Sequence, residues 1–214
     1  RESRVERNLS RSSERVSSQT KLFTLSFRRI TRMRLGIMCS GNGTNFENIV
    51  TNPVCNKHEV VLMIHNTKKC GAVTRAAKFG IPHVRVPHKD EDKMIELFKA
   101  WKVDLIILAG YMRVIKNPSK FPAPMINVHP SLLPKYKGLN VVERAMEAGE
   151  EVTGCTVHYV NEELDGGEII LQREVPILAD DDVESLTKAI QRMEYAILPA
   201  AIEHVKEELQ QQNN

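Results

Sequence analysis

No stretch of this 214-residue sequence is apolar for long enough to cross a membrane. The longest apolar runs, such as residues 103–110 interrupted by Asp104, fall well short of the roughly 20 residues that a spanning helix needs. Cysteine is sparse and scattered: Cys39, Cys55, Cys70 and Cys155 form no CxxC pair and have no spacing with histidine that would hold zinc. They read as reduced, mostly buried thiols of a reducing compartment. There is no GxxxxGK[ST] element, which argues against a nucleoside triphosphatase, and no internal repeat. Excess positive charge is absent from the body of the chain. The net charge is +3, but residues 1–32 hold nine Lys or Arg against three Glu, so the remainder carries −3. A mildly acidic body is a poor platform for nucleic-acid backbones, which are held by clustered Lys and Arg. The expected partners are therefore small molecules, with no nucleic acid, no membrane and no metal.

What is present is a composition, 42% hydrophobic and 27% charged, that can bury one substantial core. Residues 1–32 carry seven Ser and eight Arg, and their apolar content is concentrated in residues 22–30. They are expected to form a disordered leader ahead of a folded domain at 33–214. The expected location is the cytoplasm. A Ser- and Arg-rich leader also suits an organelle transit peptide, although Glu2, Glu6 and Glu14 make it more acidic than such segments usually are. From Met33 onward, apolar runs at 34–39, 59–65, 82–86 and 103–109 alternate with segments of helical period at 45–51, 71–79 and 91–101. That alternation predicts an α/β fold, a doubly wound and mostly parallel sheet with helices on both faces. A strand at 125–128, a helix at 139–148 and β-rich runs at 153–160 and 168–176 follow. The last helix, 183–204, is introduced by Asp180, Asp181 and Asp182. Pro199 lies inside it and is expected to end or kink it.

Between the first strand and the first helix stands Ser40-Gly41-Asn42-Gly43-Thr44-Asn45, where free backbone N–H groups and the helix dipole favour an anion. A dinucleotide fold would add a third glycine and an acidic residue after the second strand, but Phe46 follows Asn45 and that strand ends in His65-Asn66. A small phosphorylated ligand remains. The fourth strand leads into Gly110-Tyr111-Met112-Arg113-Val114-Ile115, which in a doubly wound sheet borders the same crevice. An apolar loop beside a phosphate loop suggests two ligands.

The densest pattern is Asn127-Val128-His129-Pro130-Ser131-Leu132-Leu133-Pro134. Strand periodicity puts Asn127 and His129 on one side, and Pro130 ends the ladder there. Further on, Thr156-Val157-His158-Tyr159-Val160 runs into an acidic loop whose Asp165 precedes the turn-forming Gly166-Gly167.

In this order the motifs resemble the folate-dependent formyltransferase family over nearly all of residues 34–204, and within it the branch that acts on glycinamide ribonucleotide. The resemblance implies a Rossmann-like fold and the transfer of a formyl group from 10-formyltetrahydrofolate, a cosubstrate, to the amine of glycinamide ribonucleotide in purine synthesis. It implies that Asn127, His129 and Asp165 are catalytic, that Gly43, Thr44 and Asn45 bind the substrate phosphate, and that Glu194, with Gln191 beside it, meets the ribose hydroxyls. It places folate against Met112, Arg113, Val114 and Ile115, and against Asn161, Glu162, Glu163, Leu164 and Asp165. Thr156 and His158 are expected to orient the catalytic network. Lys89 or Lys93 would supply the basic group that relatives place near the phosphate. The sequence departs from the pattern at Leu139-Asn140-Val141, where many relatives carry a histidine. Asn140 cannot carry a proton at neutral pH, so no acid/base role is expected there.

The residue types suit the implied chemistry. Attack of an amine on the formyl carbon creates a tetrahedral centre with a developing oxyanion, which needs donors aimed at it. Asn127 and a protonated His129 can donate, and Asp165 can take the amine proton directly or through water. The same trio resembles that of enzymes that formylate initiator tRNA or hydrolyse 10-formyltetrahydrofolate. The former carry a basic C-terminal domain and the latter an N-terminal regulatory domain, so the expectation is against both. A module that only binds a nucleotide would have no use for the trio.

Overall fold

The structure of the chain, a computed structural model, describes residues 32–212. The expectation of a disordered leader falls almost entirely outside these residues. Five strands lie parallel: β1 (Arg34–Cys39), β2 (Glu59–His65), β3 (His83–Arg85), β4 (Leu105–Leu108) and β5 (Met125–His129). Two more, β6 (Val152–Tyr159) and β7 (Ile169–Pro176), extend the sheet antiparallel, giving the order β3-β2-β1-β4-β5-β6-β7. The helices are α1 (Thr44–Thr51), α2 (Gly71–Lys78), α3 (Glu91–Ala100), α4 (Val141–Glu147) and α5 (Val183–Gln212). Among the described residues, no helix is long and apolar enough to cross a membrane.

The central strands read as unbroken apolar runs because both faces of the sheet are covered. Alternate side chains feed two separate cores. Leu35 and Ile37 of β1, with Leu105 and Ile107 of β4, pack under α1, α2 and α5 against Phe46, Ala76 and Leu198. Met38 of β1, with Ile106 and Leu108 of β4, packs on the other face against Met94 and Phe98 of α3. Each such side chain contributes about 1.5–3 kcal/mol on burial. The chain winds from β1 outward through β2 and β3, then returns to place β4 on the other side of β1. The crevice at this switch point opens at the carboxyl ends of β1 and β4, the position where open α/β sheets hold ligands.

Pro199 does not end the last helix, which runs to Gln212. A proline lacks the N–H that would bond the carbonyl four residues earlier. That carbonyl, of Tyr195, instead accepts the side-chain amide Nδ2 of Asn48 on α1 at 3.0 Å. All four cysteines are free and buried, and burial pushes the thiols of Cys55 and Cys155 up to about 12.

Candidate active site

A cleft of about 1170 Å³ lies over the carboxyl ends of β1, β4 and β5. One wall is the glycine loop with Gln191 and Glu194 of α5, the other is residues 110–115 and 161–165, and the floor is Asn127, His129 and Asp165.

The floor is assembled by strand register. Pairing of β5 with β6 sets Asn127 opposite His158 and His129 opposite Thr156. His158 Nδ1 lies 2.8 Å from the carbonyl of Tyr159, which can only accept, so Nδ1 carries the hydrogen. Its Nε2 is then a lone pair that receives the amide of Asn127 at 3.3 Å. Burial pushes the His158 imidazole below its usual range, keeping that acceptor neutral at physiological pH. Asn127 is thus held by one N–H and keeps the other. For His129, Nε2 lies 2.8 Å from the carbonyl of Tyr136 and must carry a hydrogen, so Nδ1 is the nitrogen that faces Asp165 Oδ2 at 3.5 Å. Asp165, whose side chain is 9% exposed, sits between the two imidazoles, with Oδ1 at 3.7 Å from His158 Nε2. The backbone N–H of Gly138 donates to Oδ2 at 2.9 Å. Asp165 has φ of 48°, and the chain behind it can pass only as glycine: a Cβ on Gly167 would lie 1.8 Å from the Tyr159 carbonyl oxygen.

Thr156 makes no hydrogen bond to the trio itself. Its Oγ1 donates to the Ser131 carbonyl at 2.7 Å and accepts from Leu133 N at 3.1 Å and Gln172 Nε2 at 2.9 Å. Its side chain shares a face of the sheet with His129, its register partner, but does not line the cleft, and it anchors the turn through which Tyr136 reaches His129. His158 thus orients the trio directly, and Thr156 does so through that turn.

At the glycine loop, Gly43 caps α1 with φ of 73°, packed so closely on α2 that a Cβ would lie 2.5 Å from that of Ala72. The first amides of α1 have no intrahelical acceptor. The side chain of Asn45 turns inward, donating through Nδ2 to Glu194 Oε2 at 2.9 Å, while its Oδ1 is buried with no partner among the described residues. Burial pushes the Glu194 carboxyl up to about 7, with the Asn45 hydrogen bond pulling it down. A carboxyl that holds its proton longer in the folded chain contributes stability that is complete below about pH 4.5 and lost as the pH rises through about 7. Glu194→Gln is therefore expected to flatten the fall in melting temperature of the ligand-free protein across that window. An unchanged slope in thermal melts would contradict the burial of a charge there.

In the opposite wall, Met112 and Val114 are 61% and 58% exposed, and Leu139 and Leu164, which also line the cleft, are exposed, giving it an apolar mouth. Ile115 borders the cleft but is buried in the core. Asn140 borders it as the residue preceding α4, in the left-handed conformation that asparagine tolerates. Neither Lys89 nor Lys93 lines the cleft, and Lys93 pairs with Glu96 at 2.8 Å on the surface. Lys89 precedes α3 and Lys93 lies in its first turn. Ser40, to which its sequence position gave no role, ties the two walls together. Its N–H donates to the Gly110 carbonyl at 3.0 Å and its Oγ accepts from Met112 N at 2.9 Å. Among the described residues, no group of three or more His, Cys, Asp or Glu could hold a metal ion.

A wound α/β sheet carrying this trio between an anion loop and an apolar loop defines one class: the family described as formyl transferase matches residues 33–202, and the chain belongs to it. A phosphoribosylglycinamide formyltransferase of Haemophilus influenzae is 37% identical over 182 residues, 79% of this chain and 85% of that protein. The trifunctional purine biosynthetic protein adenosine-3 of Drosophila melanogaster is 41% identical over 184 residues, which are 80% of this chain but only 14% of that much longer protein. Among solved structures, phosphoribosylglycinamide formyltransferase from Anaplasma phagocytophilum matches with a TM-score of 0.78 at 34% identity, over 83% of this chain and 88% of that one. Glycinamide ribonucleotide transformylase 1 from Symbiobacterium toebii matches with the same TM-score at 35% identity, over 83% and 89%.

Proposed function

We propose that the chain transfers the formyl group of 10-formyltetrahydrofolate to the primary amine of glycinamide ribonucleotide. The observation that carries this reading is the convergence of Asn127, His129 and Asp165 at the junction of an anion loop and an apolar loop within one cleft. The relatives that this chain matches over most of their length bear the name of this reaction. The amides of Gly43, Thr44 and Asn45 receive the phosphate, and Glu194 with Gln191 receives the ribose hydroxyls. The unpartnered Oδ1 of Asn45 is a further acceptor in the same corner. Folate lies against residues 112–115 and 161–165 beneath the apolar mouth. The amine attacks the formyl carbon, and the free N–H of Asn127 and the Nδ1–H of a protonated His129 meet the oxyanion. Asp165 takes the proton released by the attacking nitrogen and, directly or through water, passes it to the folate nitrogen, so that the C–N bond to folate breaks with a neutral amine leaving as the product amide forms. This chemistry requires no metal. Four buried free thiols suit a reducing compartment such as the cytoplasm.

The test is incubation of purified protein with 10-formyltetrahydrofolate and, separately, glycinamide ribonucleotide, initiator tRNA or water as acceptor. Turnover with the ribonucleotide alone is expected, and preference for either other acceptor would overturn the reading. Because the anion loop holds a part of the substrate remote from the reacting amine, Thr44→Val is expected to raise the KM for glycinamide ribonucleotide about tenfold while leaving that for folate nearly unchanged. Equal changes in both would put the phosphate elsewhere.

A further inference from the structure

Glu91 lies outside the cleft, at the first turn of α3, yet it is only 9% exposed and its carboxylate is turned onto the loop that follows β4. Oε1 accepts the backbone N–H of Lys116 at 2.7 Å, and Oε2 accepts both the backbone N–H and the side-chain Nδ2 of Asn117, each at 3.2 Å. Among the described residues it has no salt-bridge partner. A buried carboxylate is costly unless it is hydrogen-bonded, so this one is satisfied chiefly by the loop it holds. The near end of the same loop is tied by Met112 N to Ser40 Oγ at 2.9 Å. Between the two ties the underside of the loop is apolar. Tyr111 and Ile115 pack with Met94 and Phe121, and the Tyr111 hydroxyl is buried without a partner among the described residues. The loop therefore has little polar anchorage of its own, and residues 112–115 are suspended between Ser40 and Glu91.

We propose that Glu91 is a positioning residue for the folate subsite, setting the backbone of residues 112–115 through Lys116 and Asn117 without touching either substrate. This rests on the assignment of that loop to folate under the proposed function. A glutamine in its place offers one acceptor oxygen instead of two, and its amide nitrogen must oppose one of the N–H donors. Glu91→Gln in the full chain is expected to raise the KM for 10-formyltetrahydrofolate about tenfold, with the KM for glycinamide ribonucleotide held within about twofold. Calorimetric titration with 10-formyl-5,8-dideazafolate should show the same loss of affinity. Asn117→Ala, which removes one of the donors and leaves α3 untouched, should weaken the same titration about threefold, and it decides the matter should the Glu91→Gln protein fail to fold. The double variant should lose less than the product of the single losses, because both changes break one contact set. Wild-type affinity for the probe in both variants, or equal rises in KM for the two substrates, would overturn the proposal. Wild-type protein that neither binds the probe nor transfers formyl would instead overturn the underlying functional reading.

Discussion

Asp165→Asn is expected to lower kcat by about 100- to 1000-fold while leaving the affinity for a folate analogue largely intact, the range seen when a developing oxyanion loses a donor. The asparagine can still accept from Gly138 N, which the carboxylate does at 2.9 Å. What goes is the negative charge 3.5 Å from His129 Nδ1 and the acceptor for the amine proton. A second loss follows from the geometry. With its oxygen on Gly138, the new amide nitrogen stands where Oδ1 was, 3.7 Å from His158 Nε2, and competes with Asn127 for that single lone pair. The change thus disturbs both oxyanion donors at once. Asn127→Ala and His129→Ala should each fall in the same range. Combining His129→Ala with Asp165→Asn should cost far less than the product of the separate losses, since the carboxylate has little left to support. Steady-state turnover of the single and double variants, with analogue binding by calorimetry, checks this. Losses that multiply strictly would rule out a coupled trio, and near-normal turnover of the Asp165→Asn protein would remove Asp165 from the chemistry.

Gly167→Ala is expected to be the most damaging small substitution outside the trio. The added methyl would lie 1.8 Å from the carbonyl oxygen of Tyr159, which is backbone at the carboxyl end of β6, paired on both sides, and cannot readily swing aside. The turn must move instead, and Asp165, two residues earlier at φ of 48°, moves with it. A loss of about 3 kcal/mol in folding stability is expected from such overpacking, together with a fall in kcat. Gly80→Ala is the control: unlike Gly167 it has positive φ, but nothing lies within 4 Å of the new methyl. It should cost only about 1–2 kcal/mol, the penalty of the left-handed backbone, with kcat unchanged. Urea unfolding of the two variants separates these outcomes, and similar stabilities would mean that the chain does not pass Tyr159 as closely as described.

Much of this architecture was legible in the sequence because its signals are local. β1 and β2 could be placed to the residue, since strands buried on both faces are continuous apolar runs. Asn127 and His129 could be put on one side by period two, and Asp165 fixed by the glycines after it. Where local signals compete with distant contacts, the reading slipped. The helix expected from residue 139 begins at Val141, because Asn140 adopts φ of 54°. Sequence alone leads Pro199 to be expected to end or kink the helix, because the group that lets the helix continue, Asn48, lies almost the whole length of the domain away. The roles of Ser40 and Glu91, and the true target of Thr156, rest on hydrogen bonds spanning 72, 25 and 25 residues. No periodicity or motif records such pairings. They exist only once the sheet order is set.

The bond from Asn48 to the carbonyl left free by Pro199 also fixes a dimension. Asn45 and Asn48, one turn apart on α1, bond the adjacent residues Glu194 and Tyr195 on α5. Two neighbouring contacts of this kind index one helix against the other as the teeth of a gear would. Inserting one residue in α5 ahead of Glu194 would rotate the preceding turns by about 100° relative to those that follow. Gln191 would then leave the cleft while Glu194 stayed locked to Asn45. The spacing between the amides of the glycine loop and the corner formed by Gln191 and Glu194 is accordingly a property of the α1–α5 mesh. Changing the length of ligand that this corner accepts would mean re-cutting both helices together.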